Sequence, residues 1–186
     1  MNVYDFDKTI YKGDSTIDFY LYCLFKHPRI VKYIFRQIRG ILLWYFHRID
    51  DAEMKSRFFS FLSEIDVPAY VSAFWEKNYI KIQKWYLLGK EKSDVIISAS
   101  PEFLLAPVCK TLGVSDPIAT YIDPHTGRVV GKNCKGKEKA DRFFICYPGE
   151  SIACFYSDSL TDQPLASLAE RAFLVKKGKI SEWKIF

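Results

Sequence analysis

No part of the sequence is apolar over a length that could cross a bilayer. The longest uncharged apolar run is Ile41 to Phe46, whereas a membrane-spanning helix needs about 20 such residues. Near the start, acidic residues occupy positions 5 and 7, where a secretory signal is basic and then apolar. We therefore expect a protein that is not integral to a membrane.

Cysteine pairs of the kind that bind zinc or build a disulfide framework are also missing. The three histidines, at positions 27, 47 and 125, have no spacing that suggests a metal site. The five cysteines are scattered, odd in number and without a Cys-x-x-Cys pair: Cys23, Cys109, Cys134, Cys146 and Cys154. Reduced thiols are the expected state, so we predict a cytoplasmic protein.

Repeats and low-complexity segments are absent as well. The chain has 186 residues, which is the usual length of one domain with a small insert. Hydrophobic residues make up 49% and charged residues 26%, the composition of a globular protein. The sequence therefore argues against disorder and predicts one sizeable core.

Three short segments share one design, a run of strand-forming residues followed by polar side chains. They are Asn2 to Tyr4 before Asp5, Val95 to Ile97 before Ser98, and the run within Ser151 to Asp162 that ends at Ser157 and Asp158. A fourth segment, Ala172 to Lys179, predicts an outer strand that ends at Gly178. Because helical patterns alternate with these strands, we predict an α/β fold with a doubly wound, Rossmann-like parallel sheet.

Between the first and second strands the pattern is helical and rich in aromatic residues. We predict an α/β core over 1–15 and 90–186, and a cap of three or four helices over 16–89 that shields the carboxyl ends of the strands from water. A hairpin is predicted over Ile118 to Val130, with its turn at Asp123 to Gly127. The breaks in the helical pattern are Pro28, Gly40, Asp50 with Asp51, and Pro68.

Carboxylates and hydroxyls follow the predicted strands at the edge where open α/β sheets place their ligands. The strand ends supply Asp5, Asp7, Thr9, Ser98, Asp158 and Asp162, and the segment 133–139 adds lysines at the start of another helix. Four converging carboxylates repel one another unless a cation lies among them. Mg²⁺, a hard ion that prefers oxygen ligands, is the expected cation. With a lysine and a small hydroxyl donor, this pocket suits a phosphate dianion.

The motif Asp-x-Asp-x-Thr at residues 5–9, the strand-end hydroxyl, the lysine and Asp-x-x-x-Asp at 158–162 occur in one order along nearly the whole chain. This pattern resembles the haloacid dehalogenase superfamily of phosphatases. The position of the helical insert resembles the subfamily that includes phosphoserine phosphatase and the bacterial phosphatidylglycerophosphatase. The stretches SASPE (98–102), NCKGKEKADRF (133–143) and YSDSLTDQPL (156–165) are closer to the phosphatidylglycerophosphatase.

The resemblance implies that Asp5 is the nucleophile that forms an aspartyl-phosphate. It implies that Asp7 protonates the leaving alcohol and then activates water. Residues two apart on a strand face the same side, so both carboxylates can act on one phosphate. Thr9 is expected to position the Asp7 loop.

The resemblance also assigns the groups that bind the phosphoryl group and the metal. Ser98, with Ala99 beside it, is expected to contact the phosphoryl oxygens. Lys139 is expected to offset their charge, with Lys135 as the alternative lysine. The resemblance implies that Asp158 binds Mg²⁺ together with Asp5 and the backbone carbonyl of Asp7, and that Asp162 supports the coordination shell.

Each motif also has an ordinary structural interpretation. Asp-x-Asp taken alone is more often a solvated turn, the segment 158–162 is also a plausible helix N-cap, and Ser98 alone is more often structural. Three independent motifs in one order favour the phosphatase. Two alternatives remain open: a phosphotransferase that passes the phosphoryl group to another alcohol, and a non-catalytic membrane- or ligand-binding protein on the same fold. The sequence does not decide the oligomeric state. No nucleic-acid-binding motif is present.

The predicted cap contains a strongly basic segment. From Phe19 to Ile49 there is no acidic residue, and the basic ones are Lys26, Arg29, Lys32, Arg36, Arg39 and Arg48. Over 28–49 a helix would carry basic residues on one side and isoleucines on the other, a pattern typical of contact with an anionic membrane. The alternatives are that the apolar side is the core of the cap and the basic side a solvated face, and that Gly40 ends the helix midway.

The basic segment bears on the substrate. A phosphorylated lipid headgroup is the leading prediction, with a soluble phosphomonoester as the alternative. Phosphoserine would require a carboxylate and an arginine in the cap. The residues available for that are Asp14, Asp18, Glu53 and Arg57.

Overall fold

A six-stranded sheet forms the centre of this computed structural model, which describes residues 1–184. The strand order is β3-β2-β1-β4-β5-β6, and every neighbouring pair is parallel except β5 and β6. The predicted α/β fold with a doubly wound parallel sheet is confirmed. The strands are β1 (Asn2–Tyr4), β2 (Val95–Pro101), β3 (Ile118–Thr120), β4 (Ile152–Ser157), β5 (Ala169–Lys176) and β6 (Lys179–Glu182).

Strand β1 lies in the middle of the sheet, between β2 and β4. Val3 is opposite Val95 of β2 and Phe155 of β4, and all three side chains are buried. Strands covered on both faces carry near-continuous apolar runs, which is the pattern of these three segments. Because the strands are parallel and in register, their carboxyl ends meet at one edge of the sheet.

The prediction of the outer strand was wrong. Strand β5 pairs with β4 on one side and with β6 on the other, so β6 is the edge. The chain reverses at Lys177 and Gly178, both with positive φ, which is the backbone of a two-residue hairpin turn. All four residues of β6 are exposed, so it has no alternating pattern that the sequence could have revealed.

All regular structure between β1 and β2 is helical. Three of the helices begin at an aspartate whose carboxylate accepts a backbone N–H of the first turn: Asp14 from Ile17, Asp50 from Glu53 and Asp66 from Ala69. The helices are α1 (Ser15–Lys26), α2 (Ile34–Tyr45), α3 (Asp51–Phe58), α4 (Val67–Asn78), α5 (Lys84–Gly89), α6 (Glu102–Leu112), α7 (Lys137–Cys146) and α8 (Gln163–Ala166). Short 3₁₀ helices cover Pro28–Tyr33, Phe59–Glu64, Tyr79–Lys81 and Leu160–Asp162.

The sequence predicted one helix over 28–49, and this prediction was wrong. A 3₁₀ helix opens at Pro28, the α-helix runs only from Ile34 to Tyr45, and His47 turns the chain with φ of 54°. Gly40 does not end the helix. A Cβ at Gly40 would lie 3.0 Å from the Cβ of Arg57, so the glycine lets α2 approach α3 closely.

The buried residues form two clusters. One combines residues of the helical segment such as Phe19 and Phe74 with Tyr4 of β1 and Leu104 of α6; the other packs β1, β2 and β4 against α7 and α8. Trp75 Nε1 donates to the carbonyl of Leu104 at 2.7 Å. The division into an α/β core and a cap stays a prediction. Within residues 1–184, no helix has both the length and the apolar character required to span a bilayer.

The turn of the predicted hairpin lies at Asp123 to Gly127, as the sequence indicated. Ile122 and Val129 form an antiparallel bridge, and Asp123 N donates to the carbonyl of Arg128 at 2.9 Å. Its tip packs against the helical segment. Gly127, with φ of 72°, approaches so closely that a Cβ would lie 2.1 Å from the carbonyl oxygen of Phe59.

We predict that Gly127→Ala destabilises the protein far more than Gly131→Ala. Both glycines have positive φ, but a Cβ at Gly131 has no atom within 4 Å. The control should lose about 1 kcal/mol of unfolding free energy from backbone strain alone. Gly127→Ala should lose roughly 1–3 kcal/mol more from the clash. Chemical denaturation measures both, and equal losses would contradict the close contact.

Candidate active site

A cavity of about 530 Å³ opens at the carboxyl ends of β1, β2 and β4. Asp5 and Asp7 enter it from the loop after β1, while Phe6 between them is fully buried. The loop is closed by two backbone hydrogen bonds, from Lys8 N to the carbonyl of Gly13 at 2.8 Å and from Tyr11 N to that of Phe6 at 2.9 Å. Both carboxylates therefore line one cavity, but β1 ends at Tyr4, so the loop and not the two-residue period of a strand brings them together.

Lys139 links the aspartates of two separate loops. Its Nζ donates to Asp5 Oδ1 and to Asp162 Oδ2, each at 2.7 Å, and Ser157 Oγ donates to Asp162 Oδ2 at 2.8 Å. All four residues are buried. Burial would lower the pKa of Lys139, but the carboxylates of Asp5 and Asp162 outweigh it and raise that pKa. The lysine is therefore charged and fixed against Asp5.

Asp7 is held by groups on the first helix and the second strand. Its Oδ1 accepts from Ser15 N at 2.6 Å, and its Oδ2 accepts from Ser100 Oγ at 2.5 Å. Burial, with a smaller effect of Asp14, raises the pKa of Asp7 to about 6 even though these hydrogen bonds lower it. A carboxyl with a pKa in this range can both donate and accept a proton near neutral pH.

The other predicted phosphate-binding residues lie on β2. Ser98 is buried on the cavity wall, where its Oγ accepts from Ser100 N at 3.1 Å. Ala99 is beside it, with its carbonyl accepting from Thr120 Oγ1 at 2.8 Å. Thr9 is fully buried. Its backbone N–H donates to Phe6, and its hydroxyl has no hydrogen-bond partner within residues 1–184.

The two alternative lysines occupy different places. Lys139 contacts Asp5 directly, whereas Lys135 lies at the cavity rim with its Nζ 3.8 Å from Asp51. The side chain of Lys139 is 3% exposed and that of Lys135 is 46% exposed. Of the two lysines, Lys139 is therefore the one in contact with Asp5.

Lys55 of α3 is a cavity residue that the sequence analysis missed. Its Nζ donates to the Ala99 carbonyl at 2.5 Å and to Asn133 Oδ1 at 2.7 Å. Asn133 Nδ2 in turn donates to Asp51 Oδ2 at 3.2 Å. Burial lowers the pKa of Lys55 to about 8, although the carboxylates of Asp51 and Asp7 raise it. No pattern in the sequence separates Lys55 from the other lysines of the chain.

Ser100 is a second cavity residue that was not predicted, although the spacing of the serines in the sequence indicated it. It lies two positions after Ser98 within β2, and residues two apart on a strand face the same side. Its hydroxyl contacts both Asp7 and Thr16. Ser100 therefore joins the second strand to the loop and to α1.

The residues considered for phosphoserine recognition do not assemble in the cavity. Asp14 lines it, but Asp18 accepts from Tyr11 OH at 2.7 Å and from Lys81 Nζ at 2.9 Å. Arg57 Nε pairs with Glu53 at 2.9 Å on the surface of α3. Within the part of the chain that the structure describes, no arginine lines the cavity.

The oxygen donors suit a magnesium ion held by few protein ligands. Among residues 1–184, no three His, Cys, Asp or Glu side chains converge as a metal cluster. Asp158 nevertheless lines the same cavity as Asp5, and in this described range its carboxylate accepts no hydrogen bond. Mg²⁺ is commonly bound by one or two carboxylates, with water and phosphate oxygens completing the shell. Asp5 and Asp158 supply two carboxylates to one cavity, whereas Asp162 is engaged by Lys139 and Ser157.

Curated relatives match part of the chain. Histidinol-phosphatase of Neisseria meningitidis is 28% identical over 123 residues, which cover 56% of this chain and 54% of that protein. The chain thus spans about half the length of the curated relatives that it matches.

Solved structures match the fold more completely. A protein of unknown function from Bordetella pertussis has a TM-score of 0.73 at 19% identity, with 92% of this chain and 87% of that chain covered. A phospho-aspartyl intermediate analogue of phosphoserine phosphatase has a TM-score of 0.59 at 14% identity, with 91% and 83% covered. At these identities the likeness shows the fold alone.

The family match covers most of the chain. Residues 3–167 match the haloacid dehalogenase-like hydrolases, a range that begins in β1 and extends past α8. It includes every predicted site residue from Asp5 to Asp162, and all of these except Thr9 line one cavity. The chain belongs to the haloacid dehalogenase-like hydrolase family.

Proposed function

We propose that the protein is a Mg²⁺-dependent phosphomonoester hydrolase that works through an aspartyl-phosphate on Asp5. The observation that carries the proposal is the buried contact of Lys139 with Asp5, beside Asp7, at the carboxyl edge of the sheet. One face of this arrangement supplies a nucleophile, a proton donor and a fixed cation. The phosphatases among the relatives support the same reaction class.

In the first step Asp5 attacks phosphorus. Lys139 engages Asp5 Oδ1, so Oδ2 is the oxygen that forms the new P–O bond. The bond from phosphorus to the alcohol oxygen breaks, and Asp7 gives its proton to that oxygen. Lys139 and the hydroxyl of Ser98 stabilise the negative charge on the phosphoryl oxygens.

In the second step water releases the phosphate. Asp7, now a carboxylate, accepts a proton from the water that attacks phosphorus, and the bond from phosphorus to Asp5 breaks. Asp5, Asp158 and the Asp7 carbonyl would hold Mg²⁺, which would supply positive charge beside the phosphoryl oxygens. Asp162 and Ser157 hold Lys139 in place throughout.

The walls of the cavity suggest the kind of alcohol that leaves. The helical segment contributes mostly apolar side chains above the polar floor: Ile17, Ile41, Trp44, Met54, Phe58 and Phe59. Such walls suit an alcohol with an apolar part, so we propose a lipid phosphate monoester of the phosphatidylglycerophosphate type. The second candidate is a small soluble phosphomonoester, which the similarity to histidinol-phosphatase favours.

The first test is Mg²⁺-dependent phosphate release by the wild-type protein and by Asp5→Asn. Loss of the nucleophile should lower kcat by roughly 10⁴-fold or more. The substrates are phosphatidylglycerophosphate in micelles, phosphoserine and histidinol phosphate. Asp116→Asn, an exposed carboxylate outside the cavity, should retain wild-type activity. Release that persists in Asp5→Asn would rule out the proposed nucleophile, and a soluble ester preferred over the lipid would select the second candidate.

Magnesium binding provides a test that needs no substrate. Mg²⁺ should raise the unfolding temperature of the wild-type protein, because an ion that binds only the folded state stabilises it. Asp158→Asn should weaken Mg²⁺ affinity roughly tenfold to a hundredfold in calorimetric titration. Asp116→Asn is the matched control. Equal affinity in Asp158→Asn and wild type would remove Asp158 from the metal site.

Lys55 should give the pH profile of kcat/KM an alkaline limb, a fall in kcat/KM as the pH rises. The charged form of Lys55 attracts an anionic substrate and exists below its pKa of about 8. Protons leave it as pH rises, so kcat/KM should fall through about pH 8 in the wild type. Lys55→Met should have a KM raised roughly tenfold at pH 7, the effect of one charge-assisted hydrogen bond, and should lose this limb.

The control for this prediction is Lys135→Met at the cavity rim, where the lysine is half exposed. This variant should keep the alkaline limb. The groups that face Lys55 include the carboxylates of Asp51, Asp7 and Asp14. The pKa of Asp51 is lowered by its hydrogen bonds from Trp44 and Asn133, and burial raises the pKa of Asp7 only to about 6. An unchanged limb in Lys55→Met would show that another group is responsible.

A further inference from the structure

Helix α2 turns its apolar side toward solvent. Its buried residues are Gln37 and Gly40, which face α3. The apolar residues beside them are exposed, with Phe35 81% and Tyr45 69% accessible. The exposed set on α2 is Ile34, Phe35, Ile38, Ile41, Leu42, Trp44 and Tyr45. A helix in a soluble protein normally buries this stripe.

Helix α1 carries a second exposed apolar stripe. Ile17, Leu21 and Phe25 recur at every fourth position and are 46%, 53% and 82% accessible, while Phe19 and Cys23 of the same helix are buried. The helices are joined by a hydrogen bond from Tyr20 OH to Gln37 Oε1 at 2.8 Å. Because Ile17 and Ile41 both line the catalytic cavity, the two stripes meet at its mouth. We call the exposed apolar residues of α1 and α2 the α1–α2 face.

The segment that carries α2 is strongly basic. Within residues 1–184 only Lys32 of the basic set forms an ion pair, with Glu64 at 2.8 Å. The basic residues that form no such pair in that range are Lys26, Arg29, Arg36, Arg39 and Arg48. No acidic residue lies anywhere between Phe19 and Ile49. The charge is therefore complementary to an anionic surface.

We infer that the α1–α2 face docks on an anionic lipid bilayer, with the mouth of the cavity toward the headgroups. Its exposed aromatic and aliphatic side chains enter the interface, and the unpaired arginines and lysine contact anionic headgroups. A second copy of the chain fits less well, since a two-fold contact would bring two sets of like charges together. The inference rests on the proposed function in one respect, that the docked cavity receives a lipid phosphate.

Docking in this orientation would let the protein act on a lipid without extracting its acyl chains from the bilayer. A phosphate at the bilayer surface lies beside the apolar rim formed by Ile17 and Ile41, and Asp5 lies deeper in the same cavity. The acyl chains then remain in the membrane while the headgroup enters. The cavity needs to accommodate only the polar end of the substrate.

The test is co-sedimentation of the full chain with vesicles of phosphatidylcholine alone or with phosphatidylglycerol. The wild-type protein should bind the anionic vesicles, and the binding should weaken at high ionic strength. The double variant Phe35→Ser, Leu42→Ser should bind about tenfold or more weakly, because two apolar side chains no longer enter the bilayer. Arg36→Gln with Arg39→Gln should lose the preference for phosphatidylglycerol.

The matched control is Leu88→Ser with Ile145→Ser, which removes two side chains that are 89% and 78% exposed on α5 and α7. It should bind like the wild type. All the variants should hydrolyse a soluble ester normally, which also reports their folding. No binding to anionic vesicles, or equal loss in the control, would overturn the inference. So would a wild-type dimer in light scattering that Phe35→Ser, Leu42→Ser converts to monomer without changing vesicle binding.

The docking and the catalytic proposals fail separately. Vesicle binding requires no turnover, so Asp5→Asn should bind as tightly as the wild type. Vesicle binding without phosphate release from any ester would support the α1–α2 face and reject the hydrolase. Phosphate release from soluble esters without vesicle binding would support the hydrolase and reject docking through the α1–α2 face.

Discussion

The buried contact of Lys139 with Asp5 and Asp162 is the constraint on which the site depends. A buried charge is tolerated only when it is paired and hydrogen-bonded, and removing one partner leaves the others uncompensated. Here the three charges come from the end of β1, the first turn of α7 and the 3₁₀ turn after β4. Their pairing therefore fixes three elements relative to one another, and it places the cation against the proposed nucleophile.

The sheet explains why so much of this site could be predicted from the sequence. Val3 is in register with Val95 and Phe155, so whatever follows these parallel strands must converge. Apolar runs identified the strands, and the polar residues after them identified the edge. The same reasoning would have found Ser100, because it is set by the two-residue period of β2. The sequence of strand β6 has no alternation of apolar and polar residues, because all four residues are exposed. Its position is determined by the hairpin turn and not by burial.

The helical segment was predictable only in outline. Periodicity shows that α2 has an apolar side, but it does not show which side meets the rest of the protein. The structure buries Gln37 and Gly40 instead, because Gln37 bonds to Tyr20 and to the Phe58 carbonyl and Gly40 admits Arg57. Those contacts are between helices, and no local pattern records them. Lys55 could not be identified from the sequence for the same reason, because its hydrogen-bond partners lie 44 and 78 residues away along the chain.

In the proposed mechanism, reaction and specificity have different physical origins. The sheet edge supplies the charges that act on phosphorus, and its geometry follows from strand register. The helices supply the apolar walls, the cation of Lys55 and the α1–α2 face, and these follow from how helices pack. A change in helix packing would alter the accepted alcohol while leaving Asp5, Asp7 and Lys139 in place. Because the apolar walls continue outward into the exposed stripes of α1 and α2, the surface proposed to select the alcohol and the surface proposed to meet the bilayer are one surface.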